Sequence, residues 1–427
     1  MLALTLIPWA GMRAAETAPV ETLNLSALLA EAEAANPGIL AVRARLRAAE
    51  HAPSQMQALP DPVASISYTN ESLDDFTLGS TPDSNLAFSW TQEVPYPGKR
   101  GLAGDVARAE IDVVGRDLDA ARLRVLAAVK MAYADLLRLD RTTSIVEESK
   151  KLLVSFRDTA RVRYETGEGI LENVLKAQTE IVKLDAELAI LAQERRSIAV
   201  SLNALVGRRT DLTLGPALAP PVIQLPDRET LEQAAVDRSP ELLALKAATR
   251  REESRHRLAE KELKPDFMWG ASYMNRGGLD PMVMGMFGLR IPLYRKQKQA
   301  EAVVQTRYDL EAAERDLESR EVSLRAEVRD SVARAERAGI LMQLYDQGIL
   351  PQAQSALDSA AASYGVGRAD FLTLLDDFLT VLEYERDYEM QRAEEIKATA
   401  GLEPLTGLSL VMRGNPSLVP RPAGGSQ

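Results

Sequence analysis

Landmarks in the first half of the sequence recur in the second half, in the same order and displaced by about 200 residues, far above the period of a solenoid repeat. Asn36-Pro37 answers to Ser239-Pro240, His51 to His256 and Pro60-Asp61 to Pro265-Asp266. Farther on, Lys99 answers to Lys296, Tyr164 and Gly167 to Tyr364 and Gly367, and Leu205 and Gly207 to Leu405 and Gly407. The chain is therefore a duplication. A stretch from Gly215 to Pro226 with prolines at 216, 220, 221 and 226 separates the copies and predicts an extended linker. The expected divisions are a signal peptide over 1–20, truncated at its start, a first repeat over 21–210, the linker over 211–227, a second repeat over 228–410 and a flexible tail over 411–427.

Each copy follows one plan. A helical segment of about 36 residues (Thr22 to Gln57; Arg228 to Leu263) meets a Pro-Asp turn and two short stretches of strand character. These strand pairs lie within 63–94 (Val63 to Asn70, Asn85 to Val94) and within 267–291 (Phe267 to Asn275, Met282 to Ile291). An uninterrupted helical run of about 67 residues follows (Lys99 to Glu165; Lys296 to Gly365), then a glycine turn and a return helix (Ile170 to Val206; Asp370 to Leu405). At 1.5 Å per residue such a run is roughly 100 Å long, too long for the core of a compact domain. In the first return helix Val174, Ala177, Ile181, Leu184, Leu188 and Leu191 keep the 3,4 spacing of a coiled-coil seam, which Arg195 interrupts. Together the two shorter helical segments match the long one in length, so stacked end to end they would run alongside it.

Composition removes most other readings. With 51 basic residues against 62 acidic ones and a net charge of -11, no basic stretch offers itself to nucleic acid. The absence of cysteine excludes disulfides and thiolate chemistry, and two histidines, His51 and His256, are too few for a histidine-rich metal centre. Each is expected to pack at a helix end. No cofactor and no resident metal are expected, and Gly98-Lys99 lacks the spaced glycine and Ser/Thr of a phosphate loop. No run reaches the 18 or so apolar residues of a spanning helix. The short apolar run from Met1 to Met12, followed by Ala14, Ala15 and Ala18, reads as a signal peptide without its basic start.

The four strand stretches have about the length that crosses a bilayer when tilted, yet four strands cannot close in lipid, where small barrels need about eight. Three copies would supply twelve. Met268, Met274, Met282, Met284 and Met286 gather in the second pair; thioether copper ligation is one reading, but alternation favours an apolar stripe facing lipid.

The duplicated plan, the repeated Tyr-x-x-Gly tips, the Asn203 to Gly207 ending and the junction Gln92-Glu93-Val94-Pro95-Tyr96-Pro97-Gly98-Lys99-Arg100 resemble the TolC family of outer-membrane efflux channels over about residues 22 to 410. The junction is similar to the heavy-metal, CzcC-like branch. The resemblance implies a mainly α fold with a small β part: a long antiparallel coiled-coil helical barrel in the periplasm joined to a trimeric transmembrane β-barrel in the outer membrane. It implies a homotrimer, in contact with outer-membrane lipid, working with a periplasmic adaptor (membrane fusion protein) and an inner-membrane pump of the RND type. The chain would be a passive duct and not an enzyme, with heavy-metal cations as expected cargo. A drug-efflux or type I secretion duct of the same family stands as the alternative. A periplasmic adaptor or coiled-coil scaffold would carry one hairpin and not two alternating with strand pairs, and a hydrolase would need a pocket that these rods do not suggest.

By the same resemblance, the adaptor docks on Thr166, Gly167, Glu168 and Gly169 of the first tip and on Val366, Gly367, Arg368 and Ala369 of the second. Tyr364 takes the position of a gating tyrosine and Asp376 that of a constricting aspartate, which threefold symmetry would turn into a ring. Thr373 stands where a second aspartate is common, and Asn173 and Ala369 replace charged partners, so the family's salt links between protomers are not expected here.

Overall fold

Helix boundaries in this chain are set by side-chain caps and by proline. The Asn24 carboxamide accepts from the Ser26 amide to start α1 (Leu25–Ala35), and that of Asn36 accepts from the Ile39 amide at 3.1 Å to start α2 (Pro37–Glu50). Pro37 and Pro53 each lack an amide hydrogen, so the expected single helix over 22–57 is three, the last being α3 (Ala52–Gln57). The computed structural model describes residues 22–71, 76–78, 81–217, 221–223 and 225–412; the expected signal peptide and residues 413–427 of the expected tail lie outside it.

The strands β1 (Val63–Thr69) and β2 (Asn85–Val94) come next, then α4 (Lys99–Glu165) and α5 (Leu171–Leu205). A two-residue strand, β3 (Val222–Ile223), lies in the linker. The second copy runs α6 (Arg228–Arg238), α7 (Pro240–Lys261), β4 (Asp266–Arg276), β5 (Leu279–Arg290), α8 (Gln299–Leu344), a π-helical turn (Tyr345–Ile349), α9 (Leu350–Gly365), α10 (Phe371–Thr406) and β6 (Val411–Met412).

The α4 helix is the uninterrupted 67-residue run read from the sequence. Its counterpart departs from the reading twice. Residues 294–298 form turns, which delays the start of α8 to Gln299, and the π turn breaks the run before Pro351. Pro351 has no amide to give and its ring crowds the carbonyl one turn back; the helix widens there, and the Leu350 amide reaches Tyr345 O. The Tyr345 hydroxyl donates to Asp387 Oδ2 of α10 at 3.0 Å beside this widened turn.

The shorter helices do lie along the long ones: α1, α2, α3 and α5 against α4, and α6, α7 and α10 against α8. The halves join where α7 and α10 also pack on α4. Nearest the glycine turns, Leu153 and Ala160 of α4, Ile181 of α5, Leu357 of α9 and Phe378 of α10 share one four-helix core. Arg195, the residue that breaks the α5 seam, pairs with Asp140 at 2.6 Å and donates to the Leu214 and Gly215 carbonyls. It pins the start of the linker, so the linker is a packed strap there and not a free spacer. The tail expectation also needs correction at its first residues: Val411 is buried, and β6 pairs antiparallel with β3.

The large strands form one antiparallel sheet ordered β1-β2-β4-β5. Among the described residues the outer edges of β1 and β5 have no strand partner. Cross-strand register fixes the two faces. Ile66, Phe88 and Tyr273 align across three strands, and Tyr273 faces Val283, so these share a face with Trp269 and Phe287. On the other face Ser65, Ser89, Ser272 and Met284 align, and the Ser89 and Ser272 hydroxyls meet at 2.9 Å. Met268, Met274, Met282 and Met286 lie on this second face too. The expectation that they stripe the apolar face is therefore overturned: alternation along one strand separates two faces without saying which is apolar, and the partners across the sheet decide it.

Candidate functional site

Both long rods end in glycine turns of the same construction. Gly167 and Gly367 have φ of 78° and 76°, the left-handed region in which a Cβ is penalised. That conformation folds the following amides back on the helix end. Glu168 and Gly169 donate to Arg163 O at 2.8 and 2.9 Å, and Arg368 and Ala369 donate to Ser363 O at 2.9 and 3.3 Å. Thr166, Gly167 and Glu168 are exposed, as are Val366, Gly367 and Arg368, while Gly169 and Ala369 are half-buried. Val366, an aliphatic side chain at the crown of a turn, is 70% exposed.

The two turns are tied together by Arg163, which the sequence reading passed over. Its guanidinium lies 5.0 Å from the Tyr364 ring centroid, donates to Tyr364 O and comes within 4.0 Å of Glu168. The repeat puts a serine, Ser363, at the equivalent place, so an unmatched charge beside the tip tyrosine was the available signal. Tyr364 is 6% exposed and stacks edge-on with Phe371 at 5.5 Å; Tyr164, its counterpart, is 45% exposed. Burial pushes the Tyr364 phenol above its usual value and Asp370 adds to this, against the pull of Arg163. The phenol is thus neutral near pH 7. Asp376 sits on α10 roughly one and a half turns beyond its start, with Leu375 and Phe378 turned inward and its own side chain exposed. The structure thus packs Tyr364 inside the tip core of its own chain and leaves Asp376 on the outside of the same hairpin.

The junction from Gln92 to Arg100 forms the corner between sheet and rod. Gln92 donates to Pro60 O at 2.7 Å, the Tyr96 amide to Asp266 at 2.8 Å and Arg100 to Gln57 O at 2.7 Å. Gly98 turns the chain at φ 95°, and Lys99 bridges Asp266 at 2.8 Å and Glu262 at 3.0 Å. Burial opposes the Lys99 charge, but the two carboxylates outweigh it and hold the ammonium above its usual value. Neither histidine sits in a donor cluster: His256 meets the Thr306 hydroxyl at 3.0 Å, and His51 caps α2. Among the described residues no group of three His, Cys, Asp or Glu side chains could hold a metal ion, and no helix is long and apolar enough to cross a membrane.

The model of the outer membrane efflux protein family matches residues 28–208 and 231–408. The comparison with curated proteins finds no match. Among solved structures the chain superposes on the outer membrane protein VceC from Vibrio cholerae at a TM-score of 0.76 and 20% identity, covering 90% of this chain and 96% of that one. The open state of the Neisseria gonorrhoeae MtrE outer membrane channel gives 0.76 at 17% identity, with 90% and 89% covered. CusC, solved in connection with transmembrane channel formation, gives 0.76 at 13%, with 90% and 92% covered.

Proposed function

Since this chain belongs to the outer membrane efflux protein family, we propose that three copies of it close a twelve-stranded barrel in the outer membrane and continue as a helical barrel into the periplasm. The observation that carries this reading is the sheet itself. Among the described residues the edges of β1 and β5 lie open, and lipid offers no hydrogen bonds to satisfy them. Pairing β5 of one copy with β1 of the next removes every edge, and the Phe88, Tyr273 and Phe287 face then meets lipid. The detergent-solubilised protein is expected to have the mass of a trimer; a stable monomer in sizing with light scattering would overturn the proposal.

The family acts as a channel and not as a catalyst, and the chain serves here as a passive duct between a periplasmic adaptor, an inner-membrane pump of the RND type and the exterior. The exposed tips at Thr166 to Gly169 and Val366 to Ala369 are the adaptor-docking surface, because a solvent-facing Val366 at the crown of its turn offers an apolar contact to a partner. Heavy-metal cations are the proposed cargo, supported by the similarity of the Gln92 to Arg100 corner to the heavy-metal branch.

Asp376 and Tyr364 are proposed to control the periplasmic end. Three Asp376 carboxylates at one depth of a narrow pore favour cations. Asp376→Asn is expected to lower cation selectivity in single-channel recordings with assembly unchanged, whereas Tyr364→Ala, which empties part of the tip core, is expected to raise conductance. Unaltered selectivity in Asp376→Asn would return that residue to an ordinary solvated acid.

A further inference from the structure

Five of the chain's 12 methionines lie on one face of two neighbouring strands, and it is the face shared with Ser65, Ser89, Ser272 and Thr91. In the closed barrel this face lines the water-filled lumen. Methionine has no packing role to play against water: Met282, Met284 and Met286 are 50%, 48% and 44% exposed. The equivalent positions of the first repeat hold Val63, Thr69, Asn85, Ala87 and Ser89, so the thioethers belong to the second repeat alone.

Register gathers them into two groups. Met274 stands directly opposite Met282, and Met284 is the diagonal neighbour of Met274; pairs at such positions have Cβ atoms about 5 to 8 Å apart. Met268 faces Gly288 and Met286 faces Gly270, which makes Met268 and Met286 diagonal neighbours. Gly288 leaves room for Met268, since a Cβ there would fall 2.9 Å from its Sδ, and a Cβ at Gly270 would touch Met286 Cε at an ordinary contact distance of 3.4 Å. Each thioether chain therefore reaches over the glycine of the facing strand.

We infer that these methionines form two thioether sites per chain on the lumen wall, which take soft monovalent cations, copper(I) or silver(I), as they leave the duct. Thioether sulfur selects soft d10 monovalent ions over hard or borderline divalent ones, and it binds them without charge neutralisation, so an ion held this way is also readily passed on. Lengthwise, Met282, Met284 and Met286 recur every second residue of β5, a spacing of roughly 7 Å that suits handing an ion along the wall. The inference rests on the closed-barrel reading and names the cation class within it.

Silver(I) serves as the probe, because it needs no reductant. The purified trimer is titrated with silver nitrate in chloride-free buffer and compared with a variant in which Met268, Met274, Met282, Met284 and Met286 are all leucine, a swap that conserves volume. A second variant carries Met274→Leu and Met282→Leu only. Two silver ions per chain are expected for the native trimer, one for the double variant and none for the full one, at least a tenfold loss in affinity at each removed site, with zinc(II) binding the same in all three. Silver X-ray absorption of the native complex is expected to show sulfur neighbours. A trimer that binds silver no better than its leucine variant overturns the thioether sites and leaves the barrel standing. A protein that never forms the trimer overturns the barrel, and this inference with it.

Discussion

Glu403→Ala is expected to cost roughly 3–5 kcal/mol of stability, the range for breaking one side of a buried ion pair. Glu403 of α10 and Lys130 of α4 are both nearly inaccessible, with Lys130 Nζ at 2.7 and 2.6 Å from the two carboxylate oxygens. The Leu410 and Val411 amides also donate to Glu403 Oε1, at 2.8 and 2.9 Å. Removing the carboxylate strands a buried ammonium and two amides at once, each at the cost of an unmet hydrogen bond. The strap carrying β6 should then loosen from the rods. Thermal unfolding followed by circular dichroism checks the first effect and hydrogen exchange at residues 408–412 the second. Lys130→Met combined with Glu403→Leu removes both charges and is expected to recover part of the loss; a single variant as stable as the native protein would falsify the assignment.

The second large effect concerns export. Gly167→Val with Gly367→Val is expected to abolish efflux in cells while the trimer still assembles. A β-branched residue forced to φ near 77° costs on the order of 1–2 kcal/mol at each turn, enough to rebuild an exposed tip and too little to undo rods of this length. The two sites are not equivalent. Around Gly167 a Cβ would meet nothing within 4 Å, whereas at Gly367 it would come 2.9 Å from Arg163 Nη2 and displace the clamp on Tyr364. Gly367→Val alone should therefore impair export more than Gly167→Val alone. Survival under a toxic cargo, read beside trimer yield, is the measurement; normal export by the double variant removes docking from the tips.

The first rod could be read to both ends because its punctuation is local: Gly98 before Lys99 and Gly167 after Glu165 are visible as letters. The second rod was misread where a single proline, Pro351, acts on a carbonyl a turn away. A helix can meet an internal proline by kinking, ending or widening, and the letter alone does not say which. Arg195 was visible only as a fault in a seam, since its partners Asp140 and Leu214 come from other elements. The methionine face failed for a related reason. Alternation is a property of one strand, while polarity of a face is a property of four, and the pairing of β2 with β4 joins segments nearly two hundred residues apart. Tip position was legible from the repeat; the arginine clamp was not, because it departs from the repeat.

That departure has a stoichiometric consequence. A ring of three such chains would display six crowns of two kinds in alternation, one whose tyrosine, Tyr164, is exposed on its own chain and one whose tyrosine, Tyr364, is clamped inward. A binder that recognises the outward ring can occupy only every other crown and saturates at three. A binder that reads the shared backbone turn is blind to the difference and saturates at six. In the proposed trimer one duplicated gene would thus encode a rim of lower symmetry than its outline, and replacing Arg163 is expected to change how far the two classes of crown diverge.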